Sequence, residues 1–261
     1  IIGDEIAIIE PGNKSSAKEI LNALDEYKID KEKVKYIFVS HRHADHAGGS
    51  SELIKELKNA KIFAHEYTLK ILMDPEKLNR ATVEMYGEFG ETMDPVLDKS
   101  RLVEIHDGEE IDLGKGIKIM AVHTPGHTSD HFMFFEKRDS FLFTGDGMGL
   151  FSNGKVLPNS FPPSFKFNNY IESIEKVRKF NPQILGFAHF GSIENGATIE
   201  NAIKITYEWK EIIEKMKEKD AESIGNFLYE NYGMDFNLFS PDLRKYIFII
   251  LAQGFLNGLD K

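Results

Sequence analysis

Short apolar runs alternate with helically spaced apolar positions through the first part of the chain. Residues 5–10 (EIAIIE) read as a strand, stopped by Pro11-Gly12. Over 16–28, Ile20, Leu21, Leu24 and Tyr27 fall on one side of a helix, with Ser15 or Ser16 as its cap. A buried strand at 34–39, a polar loop at 40–49, a helix at 50–57 and a short strand at 61–64 follow. That alternation predicts a layered α/β sheet.

From Arg101 the period changes. Strands are predicted at 102–105, 110–113, 117–122, 131–135 and 141–143, separated by Gly108, by Gly114 with Gly116, by Pro125-Gly126 and by 137–139. A second α/β stretch has a helix at 168–180, a strand at 183–187 and a loop at 188–191. Beyond Asn195 the pattern is helical to the end, with the apolar run 246–251 read as buried helix. Two β-rich halves flanked by helices predict a four-layer sandwich rather than a simple parallel sheet. The expected division is a catalytic domain over 1–195 and a helical extension over 196–261.

Composition narrows the chemistry. The 261 residues are 41% hydrophobic and 11% aromatic, enough for a sizeable core. With no cysteine, disulfides, thiol nucleophiles, thiolate zinc sites and iron–sulfur clusters are excluded, so any metal is held by nitrogen and oxygen. The formal net charge of −10 disfavours a broad surface for nucleic acid or an anionic membrane. No apolar run approaches the ~20 residues that span a bilayer. No charged, apolar leader opens the chain, so a soluble cytoplasmic protein is expected.

The loop after the 34–39 strand reads His41-Arg42-His43-Ala44-Asp45-His46. Three imidazoles and a carboxylate so close together arise by chance on the order of once in a thousand. If the strand's alternation continues, the His41 and His43 rings point to one side. A turn then brings Asp45 and His46 to a neighbouring position. Such ligands suit Zn²⁺, Fe or Mn. Three further candidates stand at strand ends: His127 in Thr-Pro-Gly-His-Thr, Asp146 in Thr-Gly-Asp-Gly, and His189 in Ala-His-Phe-Gly. A carboxylate at Asp146 has two oxygens and can bridge two cations. For His189 a packed position between aromatics is the competing reading.

The order H-x-H-x-D-H, T-P-G-H-T, T-G-D and a late strand-end histidine resembles the metallo-β-lactamase superfamily of dinuclear hydrolases. The resemblance runs from Ile1 to about Gly191. It implies an αββα sandwich, with His41, His43 and His127 on one metal, Asp45, His46 and His189 on the other, and Asp146 between them. It also implies a first strand upstream of residue 5 and an insertion at about 67–100. Two divalent ions ~3.5–4 Å apart lower the pKa of a shared water and polarise the bond attacked. Asp45, with a spare oxygen, is the candidate catalytic residue, orienting the nucleophile and passing its proton to the leaving group.

The expectation is a hydrolase of a small ester, thioester or lactone, glyoxalase II-like, with two divalent metals, zinc before iron or manganese. A small-molecule substrate and a possible homodimer go with it. The absence of cysteine removes the lactamase branch that uses a cysteine ligand, and Asp146 disfavours the branch without a bridging aspartate. A phosphodiesterase or endoribonuclease is the rival class, and a mononuclear iron dioxygenase the third. Lys210, Lys215, Lys217 and Lys219, interleaved with Glu211, Glu214 and Glu218, read as a solvated helix face rather than a nucleic-acid surface. His65 and His106 read as ordinary loop or strand-end histidines. His123, Asp130 and His131 flank His127; a structural role is read first for each, with support of a ligand imidazole as the alternative. Phe161, Phe165 and Phe167 either wall a pocket or cover the core. Met85, Tyr86 and Phe89, within 73–93, are read first as helix packing, with a lid or dimer contact as alternatives.

Overall fold

The computed structural model describes residues 1–87, 90–189, 191–233, 236 and 240–259. The chain divides into two compact units. The first is Ile1–His123 with Phe134–Asp139, and the second is Thr124–Met133 with Ser140–Lys261.

The first unit opens with strand β1 (Ile6–Ile9), helix α1 (Ser16–Glu26) and strand β2 (Val34–Phe38). It continues with the short helix α2 (Ala44–Ala47), then α3 (Ser50–Glu56), β3 (Lys61–Ala64), α4 (Glu66–Met73), α5 (Glu76–Tyr86) and β4 (Leu102–Glu104). The four strands form one sheet in the order β1-β2-β3-β4, and every neighbouring pair is parallel. Parallel neighbours need crossover connections, which explains the intervening helices. Val34, Ile37, Leu53, Leu57 and Ile62 are fully buried in the resulting core. Strands β5 (Glu110–Asp112) and β6 (Lys118–His123) pair antiparallel across Gly114-Lys115-Gly116, all at positive φ. Strand β7 (Phe132–Glu136) begins in the second unit and ends in the first.

Two details correct the sequence reading. Neither Ser15 nor Ser16 caps α1 with its side chain. Asn13 Oδ1 instead accepts from the Ser16 N–H at 2.9 Å and from both serine hydroxyls. The 40–49 segment is not all loop, because Ala44–Ala47 close one helical turn. The expected insertion is occupied by α4, α5 and an irregular run. Its Met93 is buried and its backbone is held by the Asn79 side chain. Met85 is exposed, and Phe89 lies outside the described residues.

The second unit contains β8 (Phe141–Phe143), β9 (Leu150–Ser152), β10 (Lys155–Leu157), α6 (Phe167–Arg178), β11 (Ile184–Phe187) and β12 (Gly191–Glu194). Helices α7 (Thr198–Lys215), α8 (Ala221–Leu228) and α9 (Pro241–Gly258) follow. Strands β8 and β11 are parallel, while β11 and β12 are antiparallel. The β9–β10 hairpin and β12 were not anticipated. The hairpin signal was present: Asn153-Gly154 has positive φ at both positions, as a two-residue type I′ turn requires. Trp209, Phe165, Tyr170, Phe248 and Phe255 fill the core, so Phe165 and Phe167 cover it rather than walling a pocket. Among the described residues, no helix is long and apolar enough to cross a membrane.

Candidate metal centre

In the first unit, the end of β2 delivers the His/Asp loop. His41 and His46 are buried, with ring centroids 4.2 Å apart. His41 Nε2 and His43 Nδ1 stand 2.9 Å from each other. Asp45 Oδ2 and His46 Nε2 are 3.5 Å apart, and the Asp45 side chain is 46% exposed, within reach of a small molecule.

Behind this loop lies a carboxylate that the sequence reading passed over. Glu10, just past the end of β1, accepts the Ser40 hydroxyl at 2.6 Å, the Ser40 N–H at 3.0 Å and His46 Nδ1 at 3.0 Å. These bonds define the tautomers. The Ser40 proton goes to Glu10, so at 2.9 Å His41 Nδ1 must donate to the Ser40 oxygen. His46 Nδ1 likewise donates to Glu10. In each ring it is then Nε2 that faces a further candidate ligand, His43 for His41 and Asp45 for His46, the orientation that a carboxylate or hydroxyl behind a ligating histidine imposes. The only hint in sequence is an acidic residue closing an apolar strand just before Pro-Gly.

In the second unit, Asp146 follows β8 and His189 follows β11. His127 leaves the Pro125-Gly126 turn. At Gly126, φ is +142° and a Cβ would stand 2.3 Å from the Tyr170 Cα, so this close approach to α6 requires glycine. Asp146 directs its oxygens to different imidazoles: Oδ2 is 3.4 Å from His127 Nε2, and Oδ1 is 3.4 Å from His189 Nε2. His127 Nδ1 donates to the Asn159 carbonyl at 2.9 Å, so Nε2 is the nitrogen turned toward Asp146. The His189 side chain is 29% exposed, which is not the packed position of the competing reading.

The second unit also supplies supporting residues. His131 is fully buried, and its Nε2 accepts the N–H groups of Asp146 and Gly147, both at 3.1 Å. Its proton is therefore on Nδ1, facing Thr124 Oγ1 at 2.9 Å. Tyr170 is buried nearby, and its hydroxyl accepts the Asn159 N–H at 3.4 Å. Burial pushes the phenol pKa up, and the Asp146 charge adds to the rise, so the hydroxyl keeps its proton. Asp130 is buried. His65 caps α4, and exposed His106 lies 3.6 Å from Glu104.

The donor set fits a metal. With bonds of ~2.0–2.1 Å, two ligands on a tetrahedral Zn²⁺ stand ~3.3 Å apart. Within each unit the candidate pairs above are separated by 2.9 to 3.5 Å. Every atom involved is an imidazole nitrogen or a carboxylate oxygen. On the C-terminal helices, Lys210 lies 3.8 Å from Glu214 and Lys215 lies 3.7 Å from Glu211, the i,i+4 pairs of a solvated face.

Comparison with known proteins agrees with these observations. The profile of the metallo-beta-lactamase superfamily matches residues 1–189. A metallo-beta-lactamase fold-containing protein of Sulfurisphaera tokodaii is 33% identical over 168 residues, covering 62% of each chain. The cytoplasmic hydroxyacylglutathione hydrolase of Arabidopsis thaliana is 26% identical over 127 residues, covering 47% of this chain and 38% of the plant protein. The chain thus spans less than two thirds of either relative. Among solved structures, an archaeal metallo-beta-lactamase superfamily protein from Sulfolobus tokodaii superimposes with a TM-score of 0.68 at 26% identity. That match covers 98% of this chain and 89% of the other.

Proposed function

The chain belongs to the metallo-beta-lactamase superfamily and has its fold, and from that premise we propose a metal-dependent hydrolase of a small ester, thioester or lactone. The superfamily consists mostly of metal-dependent hydrolases, and a His/Asp cluster able to hold metal is present. The observation that carries the reading is the tautomer control. Glu10 and Ser40 hold the distal nitrogens of His46 and His41, and the Asn159 carbonyl holds that of His127. Imidazoles arranged in this way are prepared for metal rather than for the core.

We assign His41, His43, Asp45, His46, His127, Asp146 and His189 as ligands of two divalent ions, with zinc the first expectation and iron or manganese the alternatives. Bound metal would supply Lewis acidity and an acidified water. Asp45 has the catalytic part. Its exposed carboxylate orients the attacking water, takes a proton from it and returns that proton to the leaving alcohol or thiol as the acyl C–O or C–S bond breaks. The water oxygen ends in the product acid. Kinship with hydroxyacylglutathione hydrolases supports an acyl rather than a phosphodiester substrate. A small-molecule substrate, a cytoplasmic setting and a helical extension over 196–261 belong to the same proposal.

Metal analysis of protein purified without chelator, followed by a substrate panel, tests it. We expect about two divalent ions per chain and turnover of thioester or lactone that Asp45→Ala abolishes. Fewer than one ion, with none regained from zinc, iron or manganese, sinks the dinuclear claim. Turnover of bis-p-nitrophenyl phosphate with silent acyl substrates moves the assignment to a phosphodiesterase.

A further inference from the structure

The second unit holds an open cleft of about 290 Å³, and none of the residues lining it is a candidate metal ligand. One wall is a stripe of α7, where Asn201, Lys204, Ile205 and Glu208 recur at three- and four-residue steps and so share one side of the helix. The β10 strand of the hairpin supplies a second wall, and Tyr232, in the helical turn Tyr229–Gly233 after α8, a third. Val156 and Leu157 are buried and Ile205 is half-buried, which gives the cleft an apolar lining. The Tyr232 ring is backed by Trp209, fully buried in the core, with centroids 5.8 Å apart.

Two opposite charges stand at this cleft. Lys204 Nζ and Glu208 Oε1 are 3.7 Å apart, and their side chains are 74% and 43% exposed. That spacing is a Coulomb contact rather than a hydrogen bond, so both groups keep hydrogen-bonding capacity for a third partner. An exposed pair of this kind is weak and readily opened. Burial, then the Glu208 charge, raises the Tyr232 phenol pKa, so the hydroxyl stays protonated. Lys155, also at the cleft, is engaged in interactions of its own. The pattern discriminates among small molecules. A bare anion at Lys204 meets the like charge of Glu208, and a bare cation at Glu208 meets that of Lys204. A molecule carrying both signs a few ångströms apart satisfies both, and an aliphatic chain attached to it enters the apolar lining. Ligand pockets begin at about 300 Å³, so a cleft of this size suits a small occupant.

We propose that the cleft lined by α7 and the β9–β10 hairpin is a binding site for a small zwitterion, an α-amino acid with an aliphatic side chain. Its carboxylate pairs with Lys204 and its ammonium with Glu208. Its side chain lies on Ile205, Val156 and Leu157, against the Tyr232 ring. The site is independent of the hydrolase reading, since no candidate metal ligand lines it.

Calorimetric titration of the full chain with L-leucine tests it, beside two truncated probes: isocaproate, which lacks the ammonium, and isoamylamine, which lacks the carboxylate. We expect one saturable leucine site with a Kd at or below about 1 mM, and binding of each truncated probe at least about tenfold weaker. Glu208→Gln should weaken leucine at least about tenfold and spare isocaproate, while Lys204→Gln should weaken leucine equally and spare isoamylamine. Both side chains are partly exposed, so neither substitution disturbs the core. Absence of leucine binding in that range overturns the site. Equal leucine affinity in the parent and in Glu208→Gln puts the amino acid somewhere else and overturns it too. If isocaproate binds as tightly as leucine, the cleft takes a simple anion and the zwitterion proposal fails.

Discussion

Glu10 Oε2 accepts both the Ser40 hydroxyl and His46 Nδ1, at 2.6 and 3.0 Å, so one carboxylate governs the orientation of two candidate metal ligands. Its side chain is 9% exposed, and at φ 72° the backbone turns sharply just past β1. Removal of its charge should therefore act on metal binding before it acts on the fold. Glu10→Gln places an amide donor opposite groups that themselves donate. We expect metal affinity to fall by ~10–100-fold, as for other carboxylates that orient ligating histidines. Competition against a calibrated chelator measures it, and unchanged affinity would remove Glu10 from the site.

His131 is the corresponding support in the second unit. His131→Phe leaves the buried N–H groups of Asp146 and Gly147 without their acceptor. A cost of about 1–3 kcal/mol for each group lost is expected. A fall in Tm of ~4 °C or more by calorimetry should result, together with weaker metal retention. His131→Gln, which keeps an acceptor, should recover part of both.

At Gly126 a methyl group is enough. Gly126→Ala must displace α6 backbone, because the new Cβ would stand 2.3 Å from the Tyr170 Cα, at a φ of +142° that alanine rarely adopts. Overpacking and backbone strain together should cost at least about 2 kcal/mol. Lower soluble yield and reduced Tm are the measurements, and a variant with unaltered Tm contradicts the close approach.

Tyr36 gives the chain an alkaline limit. Burial first, then the hydrogen bond and charge of Glu5, raise its phenol pKa from 10.0 to about 12. A group whose folded pKa is raised contributes fully below the unfolded value and is lost as pH climbs through the folded one. Stability should therefore decline between about pH 10 and 12. Tyr36→Phe should flatten that part of a Tm–pH curve while leaving its neutral and acidic parts parallel to the parent. An equal alkaline decline in both proteins would rule this origin out.

What the sequence determined by itself is chiefly local. The strands and helices of the first unit follow apolar spacing, and the motif order pointed to the family, because ligand type is a matter of side-chain chemistry and ligand spacing is set along a short loop. The Asn153-Gly154 turn was equally local and legible, yet it was passed over between short strands. Chain folding decided what no spacing contains. Glu10 meets His46 across 36 residues, Asn159 meets His127 across 32, and His131 reaches the Asp146 turn across 15. A histidine's available nitrogen depends on what its other nitrogen touches, and that partner is chosen by packing. Asn13, rather than either serine, caps α1 for the same reason. Sequence could therefore name the residues with the chemistry to bind a metal, while only the tertiary structure showed which neighbours keep their nitrogens ready to do so.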